Sequence, residues 1–266
     1  MKKIILLTGA TDGIGLETAK LLAADGHHLL LHGRNPDKLQ TTVENLSKIE
    51  GASAIESYRA DFSNLPEVES LADEVLAKHD HIDVLINNAG VLKAPYSRAA
   101  NGLDLRFIVN TIAPCLLTRR LLPIISAPGR IVNLSSAAQD RVDLAALRGE
   151  RALDDMSAYS QSKLALTMWS RHLAQELGPD GPTVVAVNPG SLLGSKMVKE
   201  GFGMDGKDLG IGASILYRLA TSEEFSGISG KYYDNDAQRF ANPHPDALDE
   251  EKCAAVVEVI QSLIPV

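Results

Sequence analysis

Two cysteines in 266 residues, Cys115 and Cys253, lie far apart and in no CxxC pair. That excludes a disulfide framework and a thiolate metal site, and it fits a reducing compartment. Seven histidines form no HExxH, so no metal is expected, and solvated loops or strand edges are their expected places. Positive charge is also short. Lys and Arg number 26 against 34 Asp and Glu, and the net charge of −8 argues against nucleic acid or an anionic membrane as main partner. Long apolar runs are missing as well. MKKIILL carries only four apolar residues before Thr8, too few for a signal-peptide core, and no run approaches a membrane span. A cytoplasmic address without an integral membrane segment is expected.

What is present suits one α/β domain. Hydrophobic content of 45% allows a large core. Strand-like apolar runs recur at 4–7, 29–31, 54–58, 82–86, 131–134 and 184–187, and helix-like stretches lie at 36–49, 64–79, 99–126 and 157–177. Strand alternating with helix predicts a doubly wound parallel sheet with helices on both faces, a Rossmann-type architecture. No composition shift or repeat marks a second domain, so 1–266 reads as one unit. The glycine-rich stretch 191–210 lacks a clear period and reads as a mobile loop or substrate lid, with Leu192, Leu193, Met197, Phe202 and Met204 making it apolar. A short strand at 230–233 and a helix near 247–263 complete the tail.

After the first strand, Gly9, Gly13 and Gly15 fall within seven residues and open a helix. Glycines let a backbone approach a pyrophosphate, and a helix N-terminus offers it free N–H groups. Ligands of such a sheet sit at the carboxyl ends of the strands, so the residues there carry the chemistry. Strand two ends in His32-Gly33-Arg34, with no acid to bind a ribose 2′-hydroxyl. Arg34 instead suits a 2′-phosphate, the alternative being a solvated arginine; Asp12 in the glycine turn counts against the phosphate. Strand three ends in Asp61-Phe62, where Asp61 either accepts from an adenine amino group or caps the next helix. Strand four ends in Asn88, Ala89 and Gly90, small enough for a cofactor to lie against. Asp154 and Asp155 are expected to cap the helix that follows. Tyr159 and Lys163 share one face of that helix, with Ser136 at the end of strand five. An ammonium beside a phenol favours the phenolate, and a serine hydroxyl can hold a carbonyl oxygen.

The motifs TGATDGIG at 8–15, NNAG at 87–90, Asn110 in VNTIAP, IVNLSS at 131–136, YSQSK at 159–163 and NPG at 188–190 come in one order at the expected element ends. Through them the chain resembles the single-domain short-chain dehydrogenases/reductases over nearly its whole length. The resemblance implies a proton donor at Tyr159, a lysine at Lys163 that lowers its pKa and binds the nicotinamide ribose, a substrate-orienting Ser136, and Asn110 holding a relay water where it interrupts a helix. On the cofactor side it implies Thr8, Gly9, Gly13, Ile14 and Gly15 at the phosphate turn, with Thr11 and Asp12 inside it. Asp61 with Phe62 falls at the adenine, Asn88, Ala89 and Gly90 at the ribose and nicotinamide, and Pro189 and Gly190 against the nicotinamide face. Ser195 is the candidate for the carboxamide contact. Ser136 and Tyr159 stand 23 positions apart, and that long loop, with GRNPDKL and GKYY, resembles the retinol-dehydrogenase-like subgroup. The subgroup implies NADP(H) over NAD(H) and a hydrophobic carbonyl or alcohol as small-molecule substrate. The family implies a homodimer or homotetramer through the helices of Asn110 and Tyr159. The alternative function is a non-catalytic dinucleotide-binding regulator or scaffold, against which the intact Asn110, Ser136, Tyr159 and Lys163 set speaks.

Overall fold

β1 (Ile4–Leu7) is apolar without a break because both its faces are covered. In the computed structural model, which describes residues 2–94 and 96–264, it is followed by α1 (Gly13–Ala24), β2 (His28–Gly33), α2 (Pro36–Leu46), β3 (Ile55–Arg59), α3 (Leu65–Lys78) and β4 (Val84–Asn87). Then come α4 (Leu105–Phe107), a π turn (Ile108–Ile112), α5 (Ala113–Leu121), β5 (Arg130–Leu134), α6 (Leu144–Leu147), α7 (Asp155–Leu177) and β6 (Thr183–Asn188). The chain ends in α8 (Lys196–Phe202), α9 (Leu209–Thr221), β7 (Lys231–Asp234), β8 (Arg239–Ala241) and α10 (Glu250–Leu263). Positions 1, 95, 265 and 266 of the expected domain lie outside the described residues, as does the Phe202 side chain named for the apolar loop.

One sheet of eight strands runs β3-β2-β1-β4-β5-β6-β7-β8, parallel except for the β7–β8 pair. The order reverses between β1 and β4, and the loops leaving those two strands therefore part to form a crevice. Side chains alternate across the sheet. Leu6, Leu30, Leu85, Ile131 and Val184 face one layer, with Trp169 and much of α3, α5, α7 and α10. Ile5, Leu7, Leu31, Ile86, Val132 and Val187 face the other, with α1 and α9. Residues 160–170 of α7 are all buried within the single chain, and α10 packs along that helix.

Three expectations need correction. The predicted 99–126 helix is narrower and broken by the π turn. The continuous stretch Leu105–Ile124 does have the length and hydropathy of a membrane span, but 72% of its apolar window is buried in the core. The expected 191–210 loop contains α8, capped by Ser195, and α9 fills a region to which the sequence reading assigned no element. Gly210 and Gly212 masked its period; a Cβ on Gly212 would lie 2.6 Å from Leu193, so glycine there admits close packing. The histidines are only partly solvated: His81 is exposed in a loop, but His27 and His32 are buried, and His28 and His79 both meet the Glu56 carboxylate.

Candidate active site

The crevice at the switch point is a cavity of about 880 Å³. Its floor at one end is the glycine turn. Gly9 and Gly13 have φ of +67° and +55°, and a Cβ on Gly15 would stand 2.2 Å from the Gly9 carbonyl oxygen and 2.5 Å from Asn88 Nδ2. That crowding is made by Asn88, whose side-chain amide donates to the carbonyls of Thr8 (2.8 Å) and Gly9 (3.1 Å) and so ties the two loops. Thr8 is itself buried behind the turn, its Oγ1 accepting from the N–H groups of Asn88 and Ala89 at 2.9 and 3.0 Å. It braces the floor and does not line it. His32, which the sequence reading passed over, does similar work. Its Nδ1 accepts from Gly9 N–H at 3.2 Å, so Nε2 carries the proton and donates to Ala60 O at 3.0 Å. Burial pushes this imidazole down to about 4, so it stays neutral. It stacks on Phe62 at 4.2 Å. The only hint in the sequence was its place at the end of β2.

Asp12 caps α1 through Gly13 N–H and lies 3.8 Å from Lys38, which offsets its charge near the turn. Arg34 is exposed at the cavity edge and has no ion-pair partner among the described residues. Asp61 accepts from the N–H and Oγ of Ser63, which makes it a turn cap, while it also lines the cavity. Thr11, Ile14, Ala89, Gly90, Pro189, Gly190 and Ser195 line the same space. Ser195 Cβ lies 3.6 Å from where a Cβ on Gly13 would be.

At the other end, Ser136, Tyr159 and Lys163 converge. Burial pushes the Tyr159 phenol above its ordinary 10, and a hydrogen bond with Ser136 pulls against it. The expected lowering by Lys163 is absent in this form. Burial brings the lysine to about 8, its Nζ donates to Leu134 O at 2.7 Å, and it stands 5.7 Å from the centre of the Tyr159 ring. Gln139 Nε2 and Tyr232 OH both donate to the Ser136 carbonyl, at 2.9 and 3.1 Å, and hold that residue in place.

Asn110 does not line the cavity; it stands behind Val91 and Gly90. Its Oδ1 accepts from Val91 N–H (2.8 Å), and its Nδ2 donates to Val91 O and Ser162 Oγ (both 3.0 Å). The side chain is thus committed to joining the 88–94 loop to α7. It sits in the π turn, where Ala113 N–H reaches back to Ile108 O. The cavity walls beyond this point are apolar, with Leu92, Val109, Met156, Met197 and Val198. The first two follow or face the small-residue run after β4, a signal the sequence held but did not single out. Among the described residues no group of three His, Cys, Asp or Glu could hold a metal ion.

The glycine cradle, the Arg34 edge and the Ser136–Tyr159–Lys163 end together fit a nicotinamide dinucleotide. Residues 3–204 match the family model described as short chain dehydrogenase. Retinol dehydrogenase 13 of Mus musculus is 32% identical over 94% of this chain and 80% of its own, and retinol dehydrogenase 11 of Mus musculus is 37% identical over 71% and 61%. A short chain dehydrogenase from Escherichia coli, solved in complex with NADPH, superposes with a TM-score of 0.72 at 25% identity, covering 88% of this chain and 96% of that one. The chain belongs to the short chain dehydrogenase family, in its retinol-dehydrogenase-like subgroup, and is an NAD(P)-dependent oxidoreductase.

Proposed function

We propose that the protein interconverts a hydrophobic carbonyl compound and its alcohol, with NADP(H) preferred over NAD(H). The observation that carries this reading is one continuous cavity, with the glycine cradle and Arg34 at one end and Ser136, Tyr159 and Lys163 at the other. The bound nicotinamide supplies or takes up the hydride. The chain's own groups do the rest. Ser136 and Tyr159 hold the substrate oxygen by hydrogen bonds. Tyr159, kept protonated by burial, gives its proton to that oxygen in the reducing direction and takes it back in the other. Lys163 limits the charge left on the phenolate, which a buried site would otherwise disfavour. The Asn110 carbonyl faces a missing helix donor and is the group assigned to hold the relay water. Glycines 9, 13 and 15 admit the pyrophosphate, with Asn88, Ala89, Gly90, Pro189 and Gly190 along the ribose and nicotinamide. Arg34 would pair with a 2′-phosphate, which NADPH has and NADH lacks; the NADPH complex of the Escherichia coli relative supports this choice.

The walls Leu92, Met156, Met197 and Val198 favour an apolar substrate. Residues 191–210 are the lid in this reading. Its feet are pinned where Gly194 N–H bonds Lys207 O (2.7 Å) and where the Asp236 carboxylate takes the Ser191 N–H (3.0 Å), while α8 roofs the cavity. The test is NADPH oxidation against aldehydes, ketones and quinones graded by size and polarity, with Tyr159→Phe as control. Tyr159→Phe is expected to keep NADPH binding within about twofold and to lose at least about 100-fold in kcat. Full turnover in that variant would falsify the assignment.

A further inference from the structure

Arg106 has no exposed side-chain surface, and its guanidinium ends where three segments meet. Nε and Nη2 each donate at 2.8 Å to the two oxygens of Asp104, whose Oδ1 also caps α4 through the Arg106 N–H. Nη1 lies 3.0 Å from Asp155 Oδ1 and 3.4 Å from Leu92 O. The second Asp155 oxygen accepts from Lys93 Nζ at 2.7 Å. Two cations and two carboxylates therefore balance in one cluster. Asp155 opens α7 and stands one turn before Tyr159, on the same face. Arg106 stands one turn before Asn110. Leu92 and Lys93 belong to the loop that Asn110 grips from its other side through Val91.

A buried arginine with paired carboxylates is a poor way to gain stability, because desolvation offsets most of the attraction and apolar side chains of similar size do as well. What it supplies here is a fixed distance. Further along, α7 is held to the sheet by Lys163 on Leu134 O and by Ser135 Oγ on Lys163 O. Its first turn follows an irregular segment and leaves Met156 exposed, so the sheet does not set its position. A relay needs its donor placed to about half an ångström.

We propose that Arg106 and Asp155 are positioning residues of the proton relay. Their ion pair sets the first turn of α7, and hence Tyr159, against the π turn that carries Asn110. Lys93 extends the same tie across the cavity mouth. This rests on the reading of Tyr159 as proton donor.

Asp155→Asn is the variant of choice, since the Asp155 side chain is 34% exposed and its amide can be solvated. The full chain is assayed with NADPH and a carbonyl that the wild type reduces. The expected result is a fall in kcat of about tenfold, with the carbonyl KM and the NADPH Kd within about twofold. The solvent deuterium isotope effect on kcat rises, because the misplaced donor slows proton transfer. Asp155→Glu, which keeps the charge, is expected to retain at least about a third of kcat. Wild-type kcat in Asp155→Asn overturns the proposal. So does a loss that only tracks the folded fraction with an unchanged isotope effect, which is what a purely structural role would give. Tyr159→Phe is run alongside. Turnover surviving there removes the proton-donor reading and this proposal with it, whereas turnover lost there but intact in Asp155→Asn removes the positioning role alone.

Discussion

Pro114 stands four residues after Asn110, in the place from which an α-helix would donate an N–H to the Asn110 carbonyl. Proline has no N–H to give, and the helix takes up the mismatch as the π turn Ile108–Ile112. The carbonyl that the proposed relay assigns to a water is thus left without its α-helical donor by a residue four positions away. Pro114→Ala is expected to let the α-helical register run through. Turnover then falls about tenfold with no loss of thermal stability, as measured by kcat and by melting temperature. An unchanged kcat would take the Asn110 carbonyl out of the relay.

In the proposed reading Arg34 carries the cofactor preference. A hydrogen bond to a charged partner contributes roughly 1.5–3 kcal/mol. Arg34→Ala is therefore expected to weaken NADPH about 10- to 100-fold while NADH stays within about twofold, read by fluorescence titration of both. Equal weakening of the two would remove the 2′-phosphate contact.

Lys163 makes the stability of the cofactor-free protein depend on pH. Burial holds its folded pKa near 8, below the ordinary 10.5. Between those values the unfolded chain holds the proton and the folded chain has released it, so this group makes stability rise with pH from 8 to 10.5. Integrated, the effect is about 3 kcal/mol. Lys163→Met lacks it. Its stability relative to wild type should therefore be highest below pH 8 and decline by up to about 3 kcal/mol by pH 10.5, in denaturant titrations at several pH values. Tyr58 and Tyr232, both raised by burial, work in the opposite sense above pH 10, but they do so in both proteins and cancel in the difference. A difference that does not vary with pH would mean that the folded state leaves the lysine unperturbed.

The sequence alone determined the layered fold and much of the dinucleotide side of the cavity lining. Periodicity marks which residues face a core, and a parallel sheet places the residue after each strand at the same rim, so the glycine turn, the Asn88 run, Ser136 and Tyr159 were legible in order. Pro114 stood in the sequence as well, but the reading ran one helix over 99–126 through it, and the break came to light only in the structure. What only the tertiary structure decided are the relations between segments distant along the chain. That Thr8 and Asn110 stand behind the cavity, that His32 is a neutral brace, and that Tyr159 is raised and Lys163 lowered all depend on what packs around each group. Burial and hydrogen-bond partners are set by neighbours 20 to 80 positions away in sequence, as for Thr8 with Asn88 and Asn110 with Ser162. Local pattern carries no record of those distances. The Arg106–Asp155 pair is the same kind of fact: two ordinary surface residue types in the sequence became a tie around a buried guanidinium when α4 and α7 came together.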